Sequence, residues 1–195
     1  MDYRFYVKAL GALPVSLFNQ IVEQAPDLPF GSNISFKNRE KFDSYRRDSP
    51  EFDNSPFEQL MVQTVSWLQN YVGVFNWEDL AAYEVNRIFP GGLLGEHTDL
   101  YGPLRSGYKV CVSHKIHVPL ISQGAYHLHR RAKSLSNTKS VLTEGTAYCY
   151  NNYVWHSAHN EGTIPRLELT LLFWDHDWSH KNKIYDMHGL TGDGY

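Results

Sequence analysis

Cysteine is scarce in this chain of 195 residues: only Cys111 and Cys149 occur, each inside a strand-like run. A chain of this length buries a core without staples, so the expectation is two reduced core thiols, with no disulfide framework and no thiol catalysis. Long apolar runs are also missing. None approaches the roughly 20 residues that cross a bilayer, and the opening MDYRFYVKAL lacks the apolar stretch of a secretory signal. A cytoplasmic protein without a membrane partner is expected. Basic residues are not in excess, with 18 Lys and Arg against 21 Asp and Glu, a formal charge of -3. That balance removes the general electrostatic reason to expect nucleic acid. No histidine precedes position 97, yet ten occur from there on, which directs attention to the second half. The remaining composition, 42% hydrophobic and 20% charged, is ordinary for a globular protein and excludes disorder and coiled coil; the length reads as a single domain, 1–195.

The first half carries the helices. Pro14 ahead of Leu17, Phe18, Ile21 and Val22 predicts a short one that stops near Ala25, because Pro26 follows. A stronger one starts at Ser55-Pro56-Phe57-Glu58: Ser55 caps, Pro56 suits the first turn and Glu58 completes a capping box. Leu60, Met61, Thr64, Val65, Leu68 and Tyr71 then keep helical spacing. Between the helices, residues 28–54 are largely polar and read as a long loop or lid. Arg46 and Arg47 within it read as solvated charges, with contact to an acidic substrate as the alternative. Residues 1–78 are thus expected to be helical support and lid-like loop.

From about Asp79 the period changes to two. Val110, Val112, Ile116, Val118 and Leu120 share one strand face, interrupted by His114; Cys111, Ser113, Lys115 and His117 share the other. Leu167, Leu169, Leu171 and Phe173 alternate in the same way with Arg166, Glu168, Thr170, Leu172 and Trp174. Both segments read as barrel walls. Further strands are expected at 80–88, 125–130 and 146–150, separated by turn-forming stretches at Pro90-Gly91-Gly92, in the polar run 131–140 and at Glu144-Gly145. A core over 79–178 and a polar tail over 179–195 complete the division. A polar strand face is either surface or the lining of a concave site. Here it carries Lys115, His117 and Arg166, all binders of carboxylates, and upstream helices are available to cover the apolar face.

Gly95-Glu96-His97-Thr98-Asp99 sets a histidine and a carboxylate two residues apart, so in extended backbone both leave the same face. His156 supplies a second imidazole and Arg166 follows ten positions later. Two imidazoles and one carboxylate hold Fe(II) on one face of an octahedron and leave the opposite positions open for a cosubstrate and oxygen. A cosubstrate that chelates through a keto-acid end has a distant carboxylate, which a guanidinium fork can hold. His127 and His129 share a strand face without an evident third ligand, and a solvated or substrate-facing role is expected of them. His114 reads as core or rim, and His176, His180 and His188 as exposed.

The set resembles the iron(II)/2-oxoglutarate dioxygenases, within the aspartyl/asparaginyl β-hydroxylase and proline hydroxylase-like branch. The resemblance covers about residues 82–174. It rests on Phe89-Pro90-Gly91-Gly92, His97-Thr98-Asp99, Lys115-Ile116-His117-Val118-Pro119-Leu120, Glu144-Gly145, His156 with Asn160-Glu161-Gly162, and Arg166. It implies a mainly β fold with N-terminal helices, whose core is a double-stranded β-helix, the jelly roll also seen in cupins. It further implies that His97, Asp99 and His156 ligate iron, that Arg166 holds the remote carboxylate of 2-oxoglutarate, and that Lys115 and His117 help. An arginine commonly stands in the family where this chain has Lys115. His159 rivals His156, but the spacing to Arg166 matches the family from His156. Asp99 is absent from the eukaryotic aspartyl/asparaginyl β-hydroxylases and kept by the proline hydroxylase-like members, which tilts the substrate toward the latter's. The implied reaction uses O2 to hydroxylate an amino-acid side chain, free or in a peptide. The alternatives are a non-catalytic, metal-binding cupin-like module and, with less support from charge, a nucleobase-oxidising dioxygenase.

Overall fold

The computed structural model describes residues 7–31, 39–73, 75–97, 101–103, 109–130, 137–150 and 155–174. Asp99, Tyr153, His176, His180 and His188 lie outside the described residues, as do the side chains of Val110, Cys111, Val112 and His114.

Among the described residues, ten strands and two α-helices follow in the order β1 (Val7–Ala12), α1 (Val15–Gln24), β2 (Arg39–Asp48), α2 (Pro56–Val72), β3 (Leu80–His97), β4 (Tyr101–Pro103), β5 (Lys109–Ile121), β6 (Ala125–Arg130), β7 (Thr138–Ser140), β8 (Thr146–Tyr150), β9 (Trp155–Asn160) and β10 (Arg166–Trp174). The strand order β1-β8-β5-β10-β3-β9-β6-β7 passes through β3, which belongs to both walls of a jelly roll. Its first part pairs with β10, from Leu80 to Ile88, and its last part with β9, from Leu93 to His97. The switch falls at Pro90-Gly91-Gly92. The expected turn there is instead a corner inside one 18-residue strand. Pro90 has no N–H for the ladder, and Gly91 adopts φ 68°, a left-handed bend that costs glycine little.

The expected alternation in β10 is met. Leu167, Leu169, Leu171 and Phe173 join Ile116, Val118 and Leu120 of β5 in one apolar core with Leu17 and Ile21 of α1 and Leu60, Met61, Val65 and Leu68 of α2. Each such side chain contributes about 1.5–3 kcal/mol on full burial. The helices thus cover the outer face of the β1-β8-β5-β10-β3 sheet. Ser55 Oγ accepts from Glu58 N at 3.3 Å, as a cap should. The Glu58 carboxylate reaches past Ser55 to the backbone N–H groups of Asp53 and Asn54, at 2.7 and 2.8 Å. α2 ends at Gly73, in the left-handed region at φ 81°.

The loop or lid expected over 28–54 is corrected in part, because Arg39–Asp48 is the strand β2, paired antiparallel with β3. No apolar alternation announces it. Its ladder is reinforced by cross-strand charge: Asp43 stands opposite Arg87, with oxygens 2.8 and 2.5 Å from the guanidinium, and Arg46 opposite Glu84 at 3.5 Å. Arg46 and Arg47 are therefore tied to acidic neighbours, Arg46 to Asp48 at 2.8 Å and Arg47 to Asp53 at 2.7 Å, instead of being free solvated charges. The polar run 131–140 likewise ends in a short edge strand, β7, beside β6. Cys149 is a buried free thiol whose pKa burial pushes up to about 12. Among the described residues, no helix is long and apolar enough to cross a membrane.

Candidate active site

The inner faces of the two walls line a pocket that opens to solvent, about 330 Å³ with its mouth included, bordered by His97, Lys115, His117, His127, His156, Arg166 and Glu168, among others. Strand register brings them together. His97 on β3 is paired with His156 on β9, and His156 with His129 on β6, so three imidazoles stand in a row across three adjacent strands. Ring centroids are 4.4 Å apart for His97 and His156 and 6.2 Å for His129 and His156. His97 Nδ1 lies 2.8 Å from the Gly95 carbonyl, which can only accept. Nδ1 therefore carries a ring proton, the arrangement in which a backbone carbonyl orients a metal-ligating imidazole. Among the described residues, no group of three His, Cys, Asp or Glu side chains is placed to hold a metal ion; Asp99, the expected third ligand, is not among them. His156 and His159 sit on opposite faces of β9. His159 stacks on Tyr126 at 4.9 Å and lies 2.9 Å from Ser157 Oγ.

The expected cosubstrate residues share the pocket. Lys115 and His117 project inward from β5, and Arg166 from β10, where it is 3% exposed. Burial lowers the Arg166 pKa to about 10, which leaves the guanidinium charged at neutral pH. His117 stacks on Tyr150 of β8 at 3.8 Å and donates from Nδ1 to Glu168 Oε1.

His127 and His129, expected to be solvated or substrate-facing, are 3% and 1% exposed and point between the walls. Arg166 Nη2 donates to His127 Nε2. A guanidinium cannot accept, so the His127 proton is at Nδ1. Glu168 Oε2, 3.1 Å from Nε2, would alone favour the imidazolium. Burial, and then the Arg166 charge, outweigh it and hold the His127 pKa well below its ordinary value. Burial and the neighbouring His156 lower His129 to about 3. The pocket thus combines the neutral imidazole of His127 with further histidines, the basic side chains Lys115 and Arg166, and one described carboxylate.

That carboxylate, Glu168, is the residue that sequence reasoning missed, together with Tyr150, whose ring contacts His117, His127, His129 and His156. The signal for Glu168 was available: it shares the polar face of its strand with Arg166, two positions away.

No family model and no curated protein matches this chain. Solved structures do. A Pseudomonas putida prolyl-4-hydroxylase is 13% identical, over 86% of this chain and 90% of that one, with a TM-score of 0.60. HygX from Streptomyces hygroscopicus, with nickel and 2-oxoglutarate bound, is 11% identical over 87% of this chain and 82% of its own, at 0.60. The viral collagen prolyl hydroxylase of Paramecium bursaria Chlorella virus-1, in complex with 2-oxoglutarate, is 13% identical over 86% and 94%, at 0.55. At these identities the likeness is one of fold, and it agrees with the mainly β jelly roll expected.

Proposed function

We propose that the chain is an Fe(II)- and 2-oxoglutarate-dependent dioxygenase that hydroxylates an amino-acid side chain, releasing succinate and CO2. The substrate is a free amino acid such as proline, or an Asp, Asn or Pro residue in a peptide. One observation carries the reading: paired imidazoles, His97 and His156, share a single pocket with the buried basic side chains Arg166 and Lys115. In this reading His97, Asp99 and His156 hold the iron. Bound with 2-oxoglutarate and O2, it supplies the oxidising power for C–H hydroxylation.

The chain's own residues do the rest. The Gly95 carbonyl fixes the His97 ring through its Nδ1 proton. Arg166 and Lys115 receive the distal carboxylate of 2-oxoglutarate, and His117, fixed by Glu168 and Tyr150, forms the adjoining wall. The two walls limit the access of water to the reacting end. The unpaired, buried Cys149 thiol supports a reducing compartment such as the cytoplasm. His97→Ala and Asp99→Ala variants are expected to keep the wild-type circular dichroism spectrum while succinate release falls to background; full release in both contradicts the assignment.

A second reading, a metal-binding module without catalysis, draws on one observation: an internal carboxylate, Glu168, already pairs with Arg166. Binding of 2-oxoglutarate separates the two.

A further inference from the structure

Glu168 has no part in holding metal or cosubstrate in the reading above, yet it lies where the cosubstrate's distal carboxylate is to go. It is 4% exposed on the inner face of β10. Oε2 pairs with Arg166 Nη2, and Oε1 accepts from His117 Nδ1. It cannot move aside with its backbone, because β10 is laddered to β3 on one edge and β5 on the other. Arg166 keeps one nitrogen for a ligand: Nη1 is buried and has no hydrogen-bond partner among the described residues. A carboxylate on a guanidinium binds best through two parallel N–H···O bonds. Here one of the two terminal nitrogens is already engaged, and the engaging group carries the same charge as the ligand, in a pocket where charges are weakly screened.

We propose that Glu168 is a specificity-determining residue, which competes with the distal carboxylate of the cosubstrate for Arg166 and so erodes the preference for 2-oxoglutarate over 2-oxo acids with uncharged tails. The proposal rests on the dioxygenase reading. Lys115 lines the same pocket and is a second basic side chain beside Arg166, which keeps a dicarboxylate acceptable. An isosteric amide at 168 removes the ion pair and the repulsion, while Arg166 Nη2 keeps its bond to His127.

The test is binding, without turnover. Anaerobic calorimetry on the full chain with Mn(II) in place of iron compares 2-oxoglutarate with 2-oxopentanoate, which has the same chain length and no distal carboxylate. Wild type is expected to prefer 2-oxoglutarate by less than about tenfold, the worth of about one ordinary hydrogen bond. Glu168→Gln is expected to raise that preference about tenfold or more, through tighter 2-oxoglutarate and little change for 2-oxopentanoate. A preference in Glu168→Gln that is unchanged or lower overturns the proposal. Should the variant fail to fold, the wild-type ratio decides alone: a preference well above tenfold overturns the role of Glu168 and leaves the dioxygenase reading standing. Binding of neither acid by Mn(II)-loaded wild type overturns both.

Discussion

The imidazole of His127 shows how single residues in the pocket are held in a chosen protonation state. Its Nε2 must accept from Arg166, and burial reinforces the neutral form. The pKa is depressed in the fold, so the unfolded chain binds the extra proton first as pH falls. Stability from this group is therefore complete above the ordinary histidine value near 6.5 and is lost as pH drops below it. Urea unfolding of the metal-free protein is expected to weaken between pH 7 and 5, by up to about 1.4 kcal/mol per pH unit for this one group. His127→Asn is expected to flatten that slope, and an identical slope in the variant contradicts the account. The burial of His127 was not legible in the sequence, because a polar residue on an alternating strand looks the same whether it faces water or a second wall. Glu168 was overlooked although it shares the polar face of β10 with Arg166. Lys115, His117 and Arg166 were legible because they share strand faces that both alternate with apolar ones.

Among the elements, the β9–β10 turn does most to set the site, since it carries the chain from His156 in one wall to Arg166 in the other. Asn160 clamps it. Its Nδ2 donates to the carbonyls of Ile88 and Ile164, both at 2.8 Å, and its Oδ1 accepts from Gly162 N at 2.9 Å. Gly162 has to be glycine, because a Cβ there would stand 2.1 Å from the Gln123 carbonyl oxygen. Asn160→Ala removes three hydrogen bonds, one buried and two partly buried, and is expected to cost about 2–3 kcal/mol, read as a lower urea midpoint. An unchanged midpoint would show that the turn holds without the clamp. Periodicity placed β6, β8 and β10 at their observed bounds, where alternation is regular and the flanking turns are strong. It missed β2, whose cross-strand pairs are charged, and β7, a three-residue edge. It also split β3 at Pro90-Gly91-Gly92, since a corner and a turn use the same residues.

At the scale of the whole molecule, the apolar core and the pocket lie on opposite faces of one sheet. The helices take the outer face of the β1-β8-β5-β10-β3 wall, and apolar burial is concentrated there. That division leaves the inner face free to carry two basic side chains, several imidazoles and a carboxylate, which a core sandwiched between the walls could not accept. The architecture was legible from the change of period at Asp79 and from helices with nothing else to cover. The metal end remains tied to Asp99, two residues beyond His97 and outside the described residues. The direct test of the central claim is an anaerobic titration of Fe(II) and saturating 2-oxoglutarate into the purified protein, followed by the visible charge-transfer band of a chelated iron–keto-acid complex. The account predicts a band in the wild type that weakens in Arg166→Ala; metal bound with no band would contradict it and favour the non-catalytic module.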